Sequence, residues 1–179
     1  LRRVGINPRR TGLLQALRLM GADIEVQPVG EQGGEPVANL RVRHAPLRGI
    51  AVPEVLVPDM IDEFPALFVA AALAEGLTTV SGAAELRVKE SDRIAAMATA
   101  LQAMGVDIEE RPDGALISGG LLHGGTVDSR GDHRIAMAAA IAAQCASEPV
   151  RIDDVANVAT SFPGFVELAR GAGFGLALA

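Results

Sequence analysis

Leu86-Arg87-Val88-Lys89-Glu90-Ser91-Asp92-Arg93-Ile94-Ala95-Ala96-Met97 is the stretch that decides the fold. A short strand-like run meets a helix there, and the junction is crowded with charge. Ser91 is read as the N-cap, because its hydroxyl can accept from a free N–H of the first turn. Lys89 and Arg93 then lie near the positive end of the helix dipole, where anions are favoured. Arginine adds a planar fork that suits carboxylate or phosphate. Taken alone, such a cluster reads as a solvated helix start.

Outward from this junction the chain repeats itself. The helix from Ser91 to Met104 ends at Gly105, and Val106 to Glu110 with Ala115 to Ser118 forms a hairpin around Pro112-Asp113-Gly114. Upstream, Thr11 to Met20 is a second helix, capped by Thr11 and ended by Gly21. Met20-Gly21-Ala22-Asp23-Ile24-Glu25 returns as Met104-Gly105-Val106-Asp107-Ile108-Glu109, and a fainter copy is Arg170-Gly171-Ala172-Gly173-Phe174. The acid-headed, Ala-rich helices starting at Asp62 and Asp132 are 70 residues apart, as are Ser91 and Ser161. The unit is therefore strand, Ala-rich helix, strand, capped helix, then one or two strands. Strands are expected at 1–6, 22–26, 37–43, 77–81, 125–128, 150–153 and 174–178. Ile50 to Val57 is strand-like, but Pro53 confines it to a sheet edge or a loop. Ser161 to Arg170 reads as a helix.

The expected architecture is α/β (α+β), with one domain over 1–179. Its units run 1–46 (incomplete), 47–120 and 121–179, and the chain is expected to begin in the middle of a repeat. The runs Ala66 to Ala74 and Ile135 to Ala143 are apolar nearly all round, so those helices belong inside, with sheets outside. Asp62, Ser91, Asp132 and Ser161 are each read as a helix start. Their N-termini would gather into one anion-attracting face.

Composition narrows the function. The 179 residues are 49% hydrophobic, enough for one substantial core. The net charge of −6 argues against nucleic acid or acidic membranes as partners, so any anion site must be a local cluster of Arg and Lys. Five Phe, no Trp and no Tyr leave no platform for stacking bases. The longest apolar runs are nine residues, against about 20 for a membrane span. The single Cys145 is read as a small core residue and fits a reducing, cytoplasmic location. No His/Cys ligand spacing points to a metal.

Two more motifs join the first: Asp132-His133-Arg134-Ile135-Ala136-Met137-Ala138 and Ala159-Thr160-Ser161-Phe162-Pro163-Gly164-Phe165. With Met60-Ile61-Asp62-Glu63-Phe64-Pro65 and Arg87 to Arg93, they resemble the motifs of the 5-enolpyruvylshikimate-3-phosphate synthase family, in order and in spacing. The resemblance covers nearly the whole chain, but only the C-terminal part of the longer family chain. It implies an enolpyruvyl transferase-like domain with a pseudo-threefold axis and parallel buried helices. It implies transfer of the enolpyruvyl group from phosphoenolpyruvate to the 5-hydroxyl of shikimate 3-phosphate, with release of phosphate and no cofactor. Partners are then the two substrates and the N-terminal domain of the same enzyme, without which this chain is expected to be inactive.

Carried over residue by residue, the resemblance makes Asp62 the proposed base at the 5-hydroxyl and places Lys89 against the same hydroxyl. Glu90 would relay the proton to and from the vinyl carbon. Arg93 and Arg134 would hold the phosphoenolpyruvate carboxylate. Each has a plain structural alternative: an N-cap for Asp62, a solvent-facing side chain for each arginine. His133 is read as structural, and His44 and His123 as loop residues. Many family members carry a lysine where this chain has Thr160, and an asparagine where it has Glu85. Two other readings stay open. One is the sister transferase acting on UDP-N-acetylglucosamine, and the other is a non-catalytic anion-binding module.

Overall fold

The computed structural model describes residues 1–178. Two antiparallel sheets share one plan. In the first, β1 (Val4–Gly5), β2 (Asp23–Gln32) and β3 (Glu35–Arg43) stand in the order β1-β3-β2, and α1 (Gly12–Leu19) links β1 to β2. In the second, β4 (Leu77–Val80), β5 (Asp107–Arg111) and β6 (Gly114–Ser118) stand in the order β4-β6-β5, with α3 (Arg93–Ala103) in the equivalent place. The first hairpin runs longer than its sequence suggests: the strand continues past Gly30 through a bulge, and the turn is Gly33-Gly34. A third, parallel pair is β7 (Gly125–Asp128) with β8 (Val150–Asp153), joined through α4 (His133–Ala143).

Residues 50–57 match the parallel strand of that pair only in outline. Val52 N–H donates to Thr79 O, and Thr79 N–H to Ile50 O, both at 2.9 Å. Pairing stops there: Pro53 lacks a donor, and Glu54–Leu56 coils into a 3-10 turn.

The apolar helices lie where their sequence puts them. In α2 (Phe64–Ala72) seven of nine residues are buried, and Phe64 meets Phe68 edge to face at 6.2 Å. α2, α3 and α4 pack on one another, with Leu67, Ile94, Leu101, Ile135 and Ala142 in the shared core. Small Ala side chains on all three permit this close approach.

Several local readings need correction. Residues 84–88 form a 3-10 turn rather than a strand, and Arg87 anchors it. The Arg87 guanidinium donates to the Pro112 and Arg111 carbonyls and to Asp92, and pairs with Glu110. The cap of α3 is Asp92, whose carboxylate accepts from Ala95 N–H at 3.0 Å; Ser91 lies one residue too early. Thr11 precedes α1 but its hydroxyl donates back to Pro8 O. Asp62 does not cap α2, whose N-cap is Glu63. Ser161 ends α5 (Ala156–Ser161) instead of starting a helix; α6 (Phe165–Gly171) begins after Pro163-Gly164. Phe174 to Leu178 forms no strand, because no described strand pairs with it. Cys145, just past α4, is exposed rather than a core residue.

The glycine repeat also changes register. Gly21, Gly105 and Gly173 all take positive φ, at 99°, 85° and 95°. In each case the next N–H closes back on the helix: Ala22 on Leu17 O, Val106 on Leu101 O, Phe174 on Ala169 O. The third counterpart is thus Gly173, not Gly171.

Candidate functional site

Three helix starts meet at one point. Asp62 lies two residues before α2, Arg93 is the first residue of α3, and Asp132 caps α4 with Arg134 in its first turn. The sharp entry to α4 comes from Arg130 and Gly131, both left-handed at φ 54° and 69°. Asp128 fixes that turn by accepting from Arg130 N–H at 2.8 Å.

Asp62 is the hub. Because it caps nothing, its carboxylate is free to face side chains. Arg93 Nη1 lies 3.5 Å from it, Arg134 Nη2 3.6 Å, and Arg10 Nη2 3.6 Å. Arg134 Nη1 also donates to the Asp62 carbonyl at 3.1 Å. Arg10 is held mainly by Glu63, at 2.9 Å.

Arg93 is 1% exposed. Its Nε donates to Asp132 at 2.8 Å and its Nη2 to Glu90 at 2.5 Å. Its Nη1 is buried without a hydrogen-bond partner among the described residues. A buried guanidinium N–H left open is costly unless something fills it. This donor has no acceptor within hydrogen-bonding geometry, and the Asp62 carboxylate stands 3.5 Å from it.

Asp132 is fully enclosed and saturated. It accepts from Arg93 Nε, from Ser91 Oγ at 3.0 Å and from Arg134 N–H at 2.9 Å. Burial alone would raise its carboxyl, but Arg93, the Arg134 N–H and Ser91 outweigh that and hold it below the ordinary range.

Of the five sequence-predicted residues, four converge: Asp62, Glu90, Arg93 and Arg134. Lys89 is placed beside them in sequence, but its ammonium pairs with Glu85, one turn earlier. Glu90 also faces the other way, into an open recess lined by Arg130, Gly131, His133, Asn157, Thr160 and Ser161. His133 and Thr160 therefore border the site. Sequence reasoning missed Asp132, Ser91 and Arg10 as parts of the cluster. Asp132 was visible only as a helix start, since its partners lie 39 and 41 residues away.

A buried guanidinium N–H that makes no hydrogen bond, beside a carboxylate that two further arginines approach, offers donors that a small acidic ligand can take. Residues 1–168 match the family model described as EPSP synthase (3-phosphoshikimate 1-carboxyvinyltransferase). The chain belongs to the EPSP synthase family. It is 71% identical over 176 residues to a 3-phosphoshikimate 1-carboxyvinyltransferase of Xanthomonas campestris pv. campestris, covering 98% of this chain and 40% of that protein. A Xanthomonas oryzae pv. oryzae protein of the same name is 70% identical over the same span. The chain thus spans about 40% of the length of these relatives. Among solved structures, an EPSP synthase from Acinetobacter baumannii superposes with a TM-score of 0.94 at 49% identity, over 97% of this chain and 41% of that one. The enolpyruvyl transferase NikO from Streptomyces tendae superposes with a TM-score of 0.67 at 21% identity, over 92% of this chain and 35% of that one, a likeness of fold alone. The mixed helix-and-sheet fold is that of enolpyruvyl transferases.

Among the described residues, no group of three or more His, Cys, Asp or Glu side chains could hold a metal ion. No described helix is long and apolar enough to cross a membrane.

Proposed function

We propose that this chain supplies the donor-carboxylate and proton-handling half of an enzyme that joins phosphoenolpyruvate to the 5-hydroxyl of shikimate 3-phosphate. The hydroxyl oxygen bonds to the donor's C2 while C3 gains a proton. The tetrahedral adduct then loses that C3 proton and expels phosphate, leaving the enol ether. Atoms balance without a cofactor.

The observation that carries this reading is the open Nη1 donor of buried Arg93, 3.5 Å from an Asp62 carboxylate that Arg134 also approaches. Arg93 and Arg134 present forks to the donor carboxylate, which competes with Asp62 for them. Asp62, released from the arginines, accepts the hydroxyl proton. Glu90, on the rim of the recess, carries the proton to and from C3. Lys89 leaves Glu85 to meet the hydroxyl and the charge that develops there. The rest of the enzyme grips the acceptor, and closure of the two parts excludes water.

The same proposal takes residues 1–179 as one domain of three related units, 1–46, 47–120 and 121–179. The shared order of the first two sheets and the matching turns at Gly21, Gly105 and Gly173 support it. The location is cytoplasmic, where both substrates would be met.

The test is phosphate release from phosphoenolpyruvate and shikimate 3-phosphate. The full-length enzyme turns over, and residues 1–179 alone do not. Arg93→Lys in the full-length enzyme raises the KM for phosphoenolpyruvate, because a point charge cannot form the fork. Saturable turnover by the isolated chain, or none by the full-length enzyme, sinks the assignment.

A further inference from the structure

Arg93 and Asp132 are the only charged residues buried among those described, at 1% and 0% exposure. A buried ion pair is poor evidence for stability, since apolar residues of the same volume often serve as well. Its geometry suggests another use. Asp132 takes the Nε edge of Arg93 at 2.8 Å, and its second oxygen lies 3.5 Å from Nη2. Glu90 takes Nη2, so only Nη1 is left, turned toward Asp62. The same carboxylate accepts from Arg134 N–H and so fixes the first turn of α4, from which the Arg134 side chain departs. Ser91 Oγ, at 3.0 Å, locks the carboxylate from the α3 side.

We propose that Asp132 is a positioning residue for the enolpyruvyl donor: it sets the two arginine forks at the angle that receives one carboxylate. It touches no substrate; it acts through Arg93 and Arg134. This rests on the donor-site reading of those arginines. Ser91 is the outer lock of the same arrangement, and neither role follows from capping α4 alone.

The experiment uses the full-length enzyme with Asp132→Asn, Arg93→Lys, the double variant and Ser91→Ala. Asparagine caps a helix as well as aspartate does, so the start of α4 is kept while the hold on Arg93 is lost. Asp132→Asn is expected to raise the KM for phosphoenolpyruvate about 10²-fold, the scale of a misplaced binding group. Binary affinity for shikimate 3-phosphate, titrated separately, stays within about twofold if only the donor forks move. On the Arg93→Lys background, Asp132→Asn adds little, because the two act as one unit. Equal losses in both backgrounds, or parallel loss of acceptor affinity, would overturn the proposal. If Asp132→Asn does not fold, Ser91→Ala decides. It is expected to raise the donor KM several-fold and leave acceptor affinity alone, and an unchanged donor KM refutes the proposal. The donor-site reading fails separately, if Arg93→Lys leaves the donor KM unaltered.

Discussion

Arg134 reaches back across 72 residues of chain to Asp62, donating from Nη1 to the Asp62 carbonyl at 3.1 Å while Nη2 stands 3.6 Å from the carboxylate. The backbone contact fixes the turn that enters α2. The longer carboxylate contact is loose enough to be exchanged for a ligand. Asp62 is thus held by its main chain and left available by its side chain.

Arg134→Lys tests this division. Lysine keeps the charge but cannot serve carbonyl and ligand together. Loss of one hydrogen bond to a charged group is worth about 1.5–3 kcal/mol, so the KM for phosphoenolpyruvate should rise about tenfold or more. Initial rates at varied phosphoenolpyruvate check it. An unchanged KM means that Arg134 only braces Asp62.

The helices of this site were legible and their junctions were not. From residue 66 in α2 and from residue 135 in α4 the helices are apolar nearly all round, the pattern of a buried helix. The hairpin at Pro112-Asp113 was legible because its turn chemistry is local; Asp113 also accepts from Gly82 N–H at 2.8 Å, which no sequence pattern announces. Residues 84–88 were misread because Leu86 and Val88 alternate like a strand, whereas Arg87 ties its own turn to the Pro112 loop 25 residues on. Asp62, Glu90, Arg93 and Arg134 could be named from their motifs. That Asp132 joins Arg93 to the first turn of α4 could not, since its side-chain donors, Ser91 and Arg93, lie 41 and 39 residues back in the chain.

Glu90 can be separated from its neighbours by charge alone. Its carboxylate accepts from Arg93 at 2.5 Å and is half exposed toward the recess. Glu90→Gln keeps the size and can still accept from Arg93, but it removes the exchangeable acid. Turnover should fall about 10²–10⁴-fold, with little change in substrate affinity. Single-turnover rates and separate titrations check it; near-normal turnover reduces Glu90 to a charge balance for Arg93.

Acid should weaken the fold through Asp132. Asp132 holds its proton less readily in the folded protein than in the unfolded chain. A carboxyl depressed in this way contributes stability that is fully present above its unfolded value and is lost as pH falls through its folded value. Unfolding free energy should therefore drop below about pH 4, where the unfolded chain takes up the proton first. Denaturant midpoints of wild type and Asp132→Asn from pH 6 down to pH 2.5 check it. The variant is less stable at neutral pH and its curve is flatter in acid. Parallel curves would show that Asp132 carries none of the acid sensitivity.

Lys89 and Glu85 form the contact that must break for the proposed chemistry. They pair at i and i+4 across the 3-10 turn, with Glu85 largely exposed. An exposed pair of this kind is worth about 0–1 kcal/mol, little enough for a phosphorylated acceptor to displace. Lys89→Met should lower turnover and weaken shikimate 3-phosphate together, because a cation facing the reacting hydroxyl serves both. Glu85→Gln should do the reverse for binding, tightening the acceptor by up to about fivefold as its competitor for the lysine disappears. The two variants are compared by turnover and by acceptor titration at low and high salt. Screening weakens the exposed Lys89–Glu85 pair, so the advantage of Glu85→Gln should shrink as salt rises. If Lys89→Met lowers turnover but leaves acceptor affinity intact, Lys89 acts only on the departing charge. If Glu85→Gln weakens the acceptor, Glu85 orients Lys89 instead of competing for it.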